Sequence, residues 1–199
     1  MTDRLPLVLA VTGASGAPYA VRLLEVLARG RVPVWLIVSG HGWRLLQQET
    51  GIDGPDALRA ATGGDWSTVT LMPDDDRGAA PASGSRLTAG MVVCPCSMGT
   101  VSAIAHGSSR SLIERAADVT LKEGRRLILV PRETPFSLVH LRNLTAAAEA
   151  GATILPAAPG FYHRPGRVLE LVDFIVQRVL DLAGIDIQIG QRWQGGHDS

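Results

Sequence analysis

The chain has 199 residues, of which 46% are hydrophobic and 19% are charged, and its formal net charge is zero. A chain of this size and composition buries one substantial core, which predicts a single domain. Because the basic residues are scattered, the sequence argues against a nucleic-acid-binding stripe and an anionic-membrane patch. The first apolar run is too short for a signal peptide or a membrane span, so we expect a cytoplasmic protein.

Short apolar runs alternate with amphipathic segments along the chain. The apolar runs are rich in Val, Ile and Leu without polar alternation, as in parallel strands covered on both faces. They span residues 5–11, 32–38, 90–94, 127–130 and 152–155. Helices are predicted at residues 18–29, 42–50, 97–105, 111–123, 137–150 and 167–183. This order predicts a doubly wound α/β fold with a mainly parallel sheet.

Two segments fall outside this pattern. Residues 63–85 combine a possible strand at 67–72 with an acidic, Gly- and Pro-rich stretch, which we interpret as a mobile surface loop. Its triplet of aspartates at 74–76 lacks the spacing of a magnesium-diphosphate site and is interpreted as a solvated turn.

Residues 1–185 are predicted to form the domain. Residues 186–199 are predicted to form a tail whose Trp193 docks on the body or on a neighbouring subunit.

The turn after the first predicted strand reads "VTGASGAPYA". In open parallel sheets ligands bind at the carboxyl ends of the strands, so this turn is a candidate site. Gly13 and Gly16 are three residues apart and do not make the Gly-x-Gly-x-x-Gly fingerprint of dinucleotide sites. A strand followed by small residues and a helix start favours one phosphate monoester. The alternative is a tight turn that binds nothing.

A second turn of the same kind reads "CPCSMGT". Ser97 and Thr100 supply hydroxyl groups, and Gly99 permits close approach to the backbone. Ser39, at the end of "WLIVS", adds a further hydroxyl, and together these turns suggest a flat polar ligand with a phosphate tail, such as flavin mononucleotide (FMN). Cys94 and Cys96 are too few for a zinc site and are predicted to be buried at the end of a strand.

Charged residues near the predicted strand ends suggest chemistry. Lys122 is the single lysine among nineteen basic residues. Its compact ammonium suits contact with a phosphate. An ordinary surface ion pair with Asp118, four residues earlier on the helix, explains it equally well. Arg132 and Glu133 follow a strand in a loop bracketed by prolines, where Glu133 serves either as a general base or in a loop salt bridge. Arg178 is predicted at the edge of the polar face of the last helix. The alternative to a functional role is an arginine whose apolar stem packs on the helix while its guanidinium reaches solvent.

Several strings together resemble one family over nearly the whole chain. They are, in order, "TGASGAPY", "PASGS", "CPCSMGT", "LIERAADVTLKE", "LVPRETPFS", "HLRNL" and "ILPAAPGFYHRP", and they resemble the UbiX-type flavin prenyltransferases. The resemblance implies a flavodoxin-like, Rossmann-like three-layer fold, a dodecamer and no metal. It implies transfer of a dimethylallyl group from dimethylallyl monophosphate to N5 and C6 of reduced FMN, making the prenylated FMN used by UbiD-type decarboxylases.

The resemblance also implies residue roles. FMN would be contacted by Gly13, Ala14, Ser15, Ser39, Ser97, Met98, Gly99, Thr100 and Arg132. The dimethylallyl phosphate would be surrounded by Arg115, Lys122, Arg132, Glu133, Tyr162, Arg178 and Trp193. The catalytic residues would be Ser15, Glu49, Lys122 and Glu133, with the proton handled by Glu49 or Glu133. Arg77 stands where related sequences can carry an aromatic residue, which affects the lining of the pocket.

Two alternatives to prenyl transfer follow from the fold. An FMN-dependent decarboxylase of the phosphopantothenoylcysteine type is expected to read "PASANT" where this chain reads "PASGS" at residues 81–85. A non-catalytic flavin carrier would have no use for Lys122, Tyr162 and Arg178 beside the flavin. Both comparisons favour the prenyltransferase.

Overall fold

The structure, a computed structural model, describes residues 4–190. Within these residues lies one six-stranded, all-parallel sheet with the strand order β3-β2-β1-β4-β5-β6. The strands are β1 (Leu7–Val11), β2 (Val34–Val38), β3 (Val69–Pro73), β4 (Gly90–Cys96), β5 (Leu127–Pro131) and β6 (Ala152–Ile154). The doubly wound parallel sheet predicted from the apolar runs is confirmed.

Helices cover both faces of this sheet and complete a three-layer, flavodoxin-like sandwich. One face carries α1 (Ala17–Arg29), α2 (Gly40–Thr50), α3 (Pro55–Ala61) and α7 (Val168–Ala183). The other face carries α4 (Met98–Ala105), α5 (Leu112–Lys122) and α6 (Leu138–Glu149). Every residue of β1, β4 and β5 is buried, since each of these strands has a helical layer on both sides. Among residues 4–190, no helix has the length and hydrophobicity that crossing a membrane requires.

The segment between β2 and β4 contains more regular structure than the sequence predicts. Helix α3 was not predicted, and β3 is an edge strand of the sheet, paired with β2 from Val34↔Val69 to Val38↔Pro73. The aspartates at 74–76 lie in a turn in which Asp75 and Asp76 are exposed, as interpreted, but Asp74 is only partly exposed and makes structural contacts. Its side chain accepts a hydrogen bond from Ile113 N at 3.0 Å and its carbonyl accepts one from Leu112 N at 2.7 Å, so Asp74 caps the start of α5.

The polar face of α7 is an internal contact. Asp173 accepts a hydrogen bond from Arg22 Nε of α1 at 2.7 Å. Gln177 is 4% exposed; its side-chain oxygen accepts hydrogen bonds from the N–H groups of Ile189 and Gly190 at 2.8 and 3.2 Å. Residues 185–190 therefore run back along α7. Trp193 lies outside the described residues.

Candidate active site

The strand order reverses between β1 and β4, which makes the crevice between their carboxyl ends the expected ligand site of an open α/β sheet. Thr12 lies at this point and is 3% exposed. Its hydroxyl donates to Pro95 O at 2.9 Å and accepts from Ser97 N at 2.8 Å. The turns after β1 and β4 are therefore joined through one side chain.

The turn after β2 joins the same crevice. Ser39 N donates to Val11 O at 3.0 Å, and the Ser39 hydroxyl accepts from Gly42 N at 3.0 Å, which caps α2. Two glycines allow these turns to approach closely. A Cβ atom at Gly13 would lie 2.5 Å from His41 Cβ, and a Cβ atom at Gly42 would lie 2.5 Å from Val11 O. Three strand-end turns thus meet at close range.

The starts of α2 and α4 are open toward this crevice. Ser97 Oγ accepts a hydrogen bond from Thr100 N at 3.1 Å and lies 2.9 Å from the Thr100 hydroxyl, which caps α4. The first N–H groups of a helix have no intrahelical acceptor. A Cβ atom at Gly99 would meet only Ser97 Oγ, at 3.8 Å, and one at Gly40 would meet no atom within 4 Å. Backbone donors beside open space suit an anionic group such as the phosphate of FMN.

The start of α1 is already occupied by a side chain of the protein. Gly16 N and Ala17 N both donate to Glu49 Oε2 at 2.8 Å, and Glu49 belongs to the last turn of α2. A carboxylate at this position is stabilised by the helix dipole. Two of the N–H groups that the sequence suggested for a phosphate are therefore already paired, and the open donors are those of α2 and α4.

Arg132 and Glu133 directly follow β5 at the same edge of the sheet. Arg132 Nε donates to Ser15 O at 3.1 Å, across the end of the intervening strand β4. Glu133 is partly buried, and its Oε1 accepts a hydrogen bond from Thr134 N at 3.1 Å. Ser15, Glu49, Arg132 and Glu133 thus lie at one edge of a single chain.

Tyr162 packs on α7 beyond this edge, and Arg178 lies further along the same helix, away from the carboxyl ends of the strands. The loop after β6 passes the end of β5, where Ala157 N donates to Pro131 O at 2.9 Å. Further along this loop, the Tyr162 ring contacts Phe174 of α7 edge to face, with 5.9 Å between the ring centroids. Arg178 follows Phe174 by one helical turn, and its side chain is 51% exposed and paired with Asp181 at 3.3 Å.

Lys122 does not reach this site within its own chain. Helix α5 begins beside Asp74, just beyond the carboxyl end of β3, and ends at Lys122, five residues before β5 begins. The length of β5, roughly 16 Å, therefore separates Lys122 from Arg132 along the sheet. Arg115, near the start of α5, contacts the segment between β3 and β4, because its Nε donates to Ala82 O at 3.3 Å. Its NH1 lies 2.7 Å from Asp118 of the same helix.

The two cysteines are buried at the end of β4, as predicted. Burial raises the pKa of the Cys94 thiol to about 12 and also raises the pKa of Cys96. Neutral, buried thiols are inert toward ligands. Among residues 4–190, no group of three His, Cys, Asp or Glu side chains is arranged to hold a metal ion.

Comparison with known proteins decides the family. The Flavoprotein family model matches residues 1–180. The flavin prenyltransferase UbiX of Synechocystis is 48% identical over an alignment of 199 positions, which covers 96% of this chain and 97% of that protein. This chain belongs to the UbiX family of flavin prenyltransferases. The resemblance inferred from the seven strings is thereby confirmed.

Solved UbiX-type structures share the whole fold. AnUbiX (PadA1), crystallised with FMN and dimethylallyl pyrophosphate, superposes with a TM-score of 0.90 at 40% identity and covers 98% of this chain and 100% of its own. A dodecameric FMN-dependent UbiX-like decarboxylase from Escherichia coli O157:H7 superposes with a TM-score of 0.88 at 38% identity, covering 96% and 100%. This UbiX-type chain therefore has the flavodoxin-like architecture expected from its motifs.

The linking role of Thr12 was missed from the sequence of this UbiX-type chain. The available signal was its position, since a hydroxyl directly after a fully buried strand needs a partner, and neighbouring strand ends supply one.

Proposed function

We propose that this protein is a flavin prenyltransferase that joins a dimethylallyl group from dimethylallyl monophosphate to N5 and C6 of reduced FMN. The observation that carries this proposal is the crevice in which Thr12 joins two turns, beside two open helix starts and the guanidinium of Arg132. A chain 48% identical to a flavin prenyltransferase over nearly its whole length presents this crevice at the switch point of its sheet.

FMN would be held by the turns that meet in the crevice. Bound reduced FMN supplies the nucleophilic ring positions that take the dimethylallyl group. The hydroxyls of Ser39, Ser97 and Thr100, with the first N–H groups of α2 and α4, offer donors to its phosphate and polar edge. Further contacts are assigned to Gly13, Ala14, Ser15, Met98, Gly99 and Arg132.

The second phosphate needs cationic partners, because breaking the allylic C–O bond leaves an allyl cation and a phosphate dianion. We assign its stabilisation to Ser15, Arg132, Tyr162 and Arg178, with Arg115 and Lys122 supplied by a neighbouring chain. Exclusion of water protects the cation, and aromatic faces stabilise it. Trp193 is also assigned to the allyl group, but it lies outside the described residues.

We assign the final proton to Glu133. The carboxylate of Glu49 would have to release Gly16 N and Ala17 N before it could turn to a substrate. The Glu133 carboxylate accepts the hydrogen bond of its own neighbour, Thr134 N, and needs no such release. Glu49 then has the separate task of holding the first turn in place.

A complete site requires more than one chain. Because Lys122 lies at the opposite edge of the sheet from Arg132, it can serve only the site of a neighbouring subunit. Exposed apolar side chains at the start of α6, next to the Glu133 loop, support such an association; they are Phe136, Leu138, Val139 and Leu141. We therefore propose a homo-oligomer, and a dodecamer from the likeness to the dodecameric E. coli protein.

The product and its destination follow from this chemistry. Prenylated FMN is released, and the recipient is a UbiD-type decarboxylase that uses it as a cofactor. The proposal places the protein in the cytoplasm, where reduced FMN and the decarboxylase are available.

The direct test is anaerobic incubation with reduced FMN and dimethylallyl monophosphate, followed by mass analysis of the released flavin. The gain of one five-carbon prenyl unit is the expected result, and a reaction without the allyl ester is the control. Unchanged flavin despite tight FMN binding would identify a flavin carrier. Release of carbon dioxide from a phosphopantothenoylcysteine-type substrate would identify the decarboxylase.

A further inference from the structure

At the end of α5, Lys122 lies in a small charged cluster away from the crevice. Its ammonium donates a hydrogen bond to the carboxylate of Glu123. The pair lies directly on the backbone of Gly84, because a Cβ atom there would clash with Glu123 Oε1 and lie 3.0 Å from Lys122 Nζ. The glycine of the "PASGS" segment therefore provides the space that the ion pair occupies.

Glu123 has a second cation beside it. Arg125 NH2 lies 4.0 Å from Glu123 Oε2 and donates to Gly84 O at 2.5 Å, while Arg125 NH1 donates to Arg86 O at 2.9 Å. The Arg125 side chain is 14% exposed, whereas that of Lys122 is 47% exposed. Glu123 thus lies between a fixed guanidinium and an exposed ammonium on a flexible stem.

We propose that Glu123 is the resting partner of Lys122 and that the substrate phosphate displaces it, so that Glu123 sets the affinity of the site for phosphate monoesters. This inference rests on the proposed function, in which Lys122 serves the phosphate in a neighbouring subunit's site. A carboxylate and a phosphate dianion repel each other when both approach one ammonium. Lys122 therefore leaves Glu123 as it engages the phosphate, and Arg125 continues to compensate the charge of Glu123.

The exchange has a consequence for both substrate and product. Each phosphate that binds must compete with Glu123 for Lys122, which weakens binding. When inorganic phosphate leaves, Glu123 recaptures the ammonium, which favours release. Glu123 is accordingly a residue that acts through Lys122 and does not itself contact the substrate.

The test uses the full-length protein loaded with oxidised FMN, which does not react, and titrates dimethylallyl monophosphate by calorimetry. Glu123→Gln is expected to bind the ester about 1.4- to fivefold more tightly than the wild type, the range spanned by an exposed ion pair. In a Lys122→Ala background the same substitution is expected to change nothing. The matched control is Glu114→Gln, which removes another carboxylate of α5 that is paired with Arg110 at 2.8 Å.

A second measurement uses turnover. The inhibition constant of inorganic phosphate is expected to fall by the same factor in Glu123→Gln, with an unchanged thermal midpoint. Unchanged or weaker binding in Glu123→Gln, or a gain that persists without Lys122, overturns the inference. Unchanged ester binding in Lys122→Ala alone instead overturns the placement of Lys122 in the proposed site.

Discussion

Arg132 donates a hydrogen bond from Nε to the carbonyl oxygen of Ser15 at 3.1 Å, which ties the loop after β5 to the turn after β1. The two strands are not neighbours, since β4 lies between them. The contact therefore fixes a guanidinium over the crevice whose floor is formed by the Thr12 and Ser97 turns. A planar guanidinium held in this way presents its remaining N–H groups in a defined direction.

Replacing Arg132 is expected to weaken both FMN binding and prenyl transfer. Arg132→Ala removes a charged donor, worth about 1.5–3 kcal/mol, and the dissociation constant for FMN should rise by about ten- to a hundredfold. Arg132→Lys keeps the charge but loses the planar geometry, so it should recover only part of the affinity. Arg29→Ala at the far end of α1 is the control, and equal affinity in all of these variants would contradict the assignment.

The Thr12 hydroxyl is expected to hold the crevice together. Thr12→Val leaves Pro95 O and Ser97 N without this partner and should lower the free energy of unfolding by about 1–3 kcal/mol. FMN affinity should fall as well, because the two turns are no longer joined. Thr12→Ser retains the hydroxyl and serves as the control. Urea unfolding and FMN titration are the measurements; wild-type stability in Thr12→Val would show that the bond contributes nothing.

Glu49 is expected to act first on the stability of α1. Glu49→Ala removes the acceptor of two N–H groups and should cost about 0.5–2 kcal/mol, the range of a lost N-cap. Glu49→Gln keeps an acceptor oxygen and loses the charge, so its cost should be smaller. Thermal unfolding of the apoprotein checks this order. Equal stability of both variants and the wild type, with loss of turnover in both, would assign Glu49 to proton transfer instead.

Subunit complementation is expected to test the shared site. Lys122→Ala and Arg132→Ala should each be nearly inactive alone. When the two variants are assembled into mixed oligomers, roughly a quarter of the sites draw an intact Lys122 and an intact Arg132 from different chains, and activity should return to that extent. Mixing after separate assembly is the control. No recovery in co-assembled oligomers would place both residues in the site of one chain.

The buried cysteines are expected to resist modification in the native protein and to make the fold less stable at alkaline pH. The pKa of Cys94 rises from 9.0 to about 12 in the folded chain, so this thiol stays neutral at pH 8 and should react with a thiol reagent only after unfolding in urea. Because the raised pKa favours the folded state only while the thiol is neutral, its contribution is complete below pH 9 and is lost as the pH rises toward 12. Rapid labelling of the native protein would contradict this burial.

The apolar runs of this chain predicted five of the described strands and their parallel arrangement. In β1, β4 and β5 every residue is buried, and burial on both faces leaves a continuous signal in the sequence. Strand β3 gave a weaker signal, since it is an edge strand whose residues are partly exposed. The helix start at Ser97 was also readable, because a capping hydroxyl acts within three residues of itself, whereas α2 begins at Gly40, two residues before its predicted start.

The sequence by itself determined the family, the fold and the turns that surround the crevice. Only the tertiary structure decided that Asp74 caps α5, that Glu49 occupies the start of α1 and that Gln177 holds residues 189–190. It also placed Lys122 and Arg132 at opposite edges of the sheet. Periodicity reports which face of an element is buried, whereas contacts between residues far apart in sequence depend on strand order and on the direction in which each helix crosses the sheet.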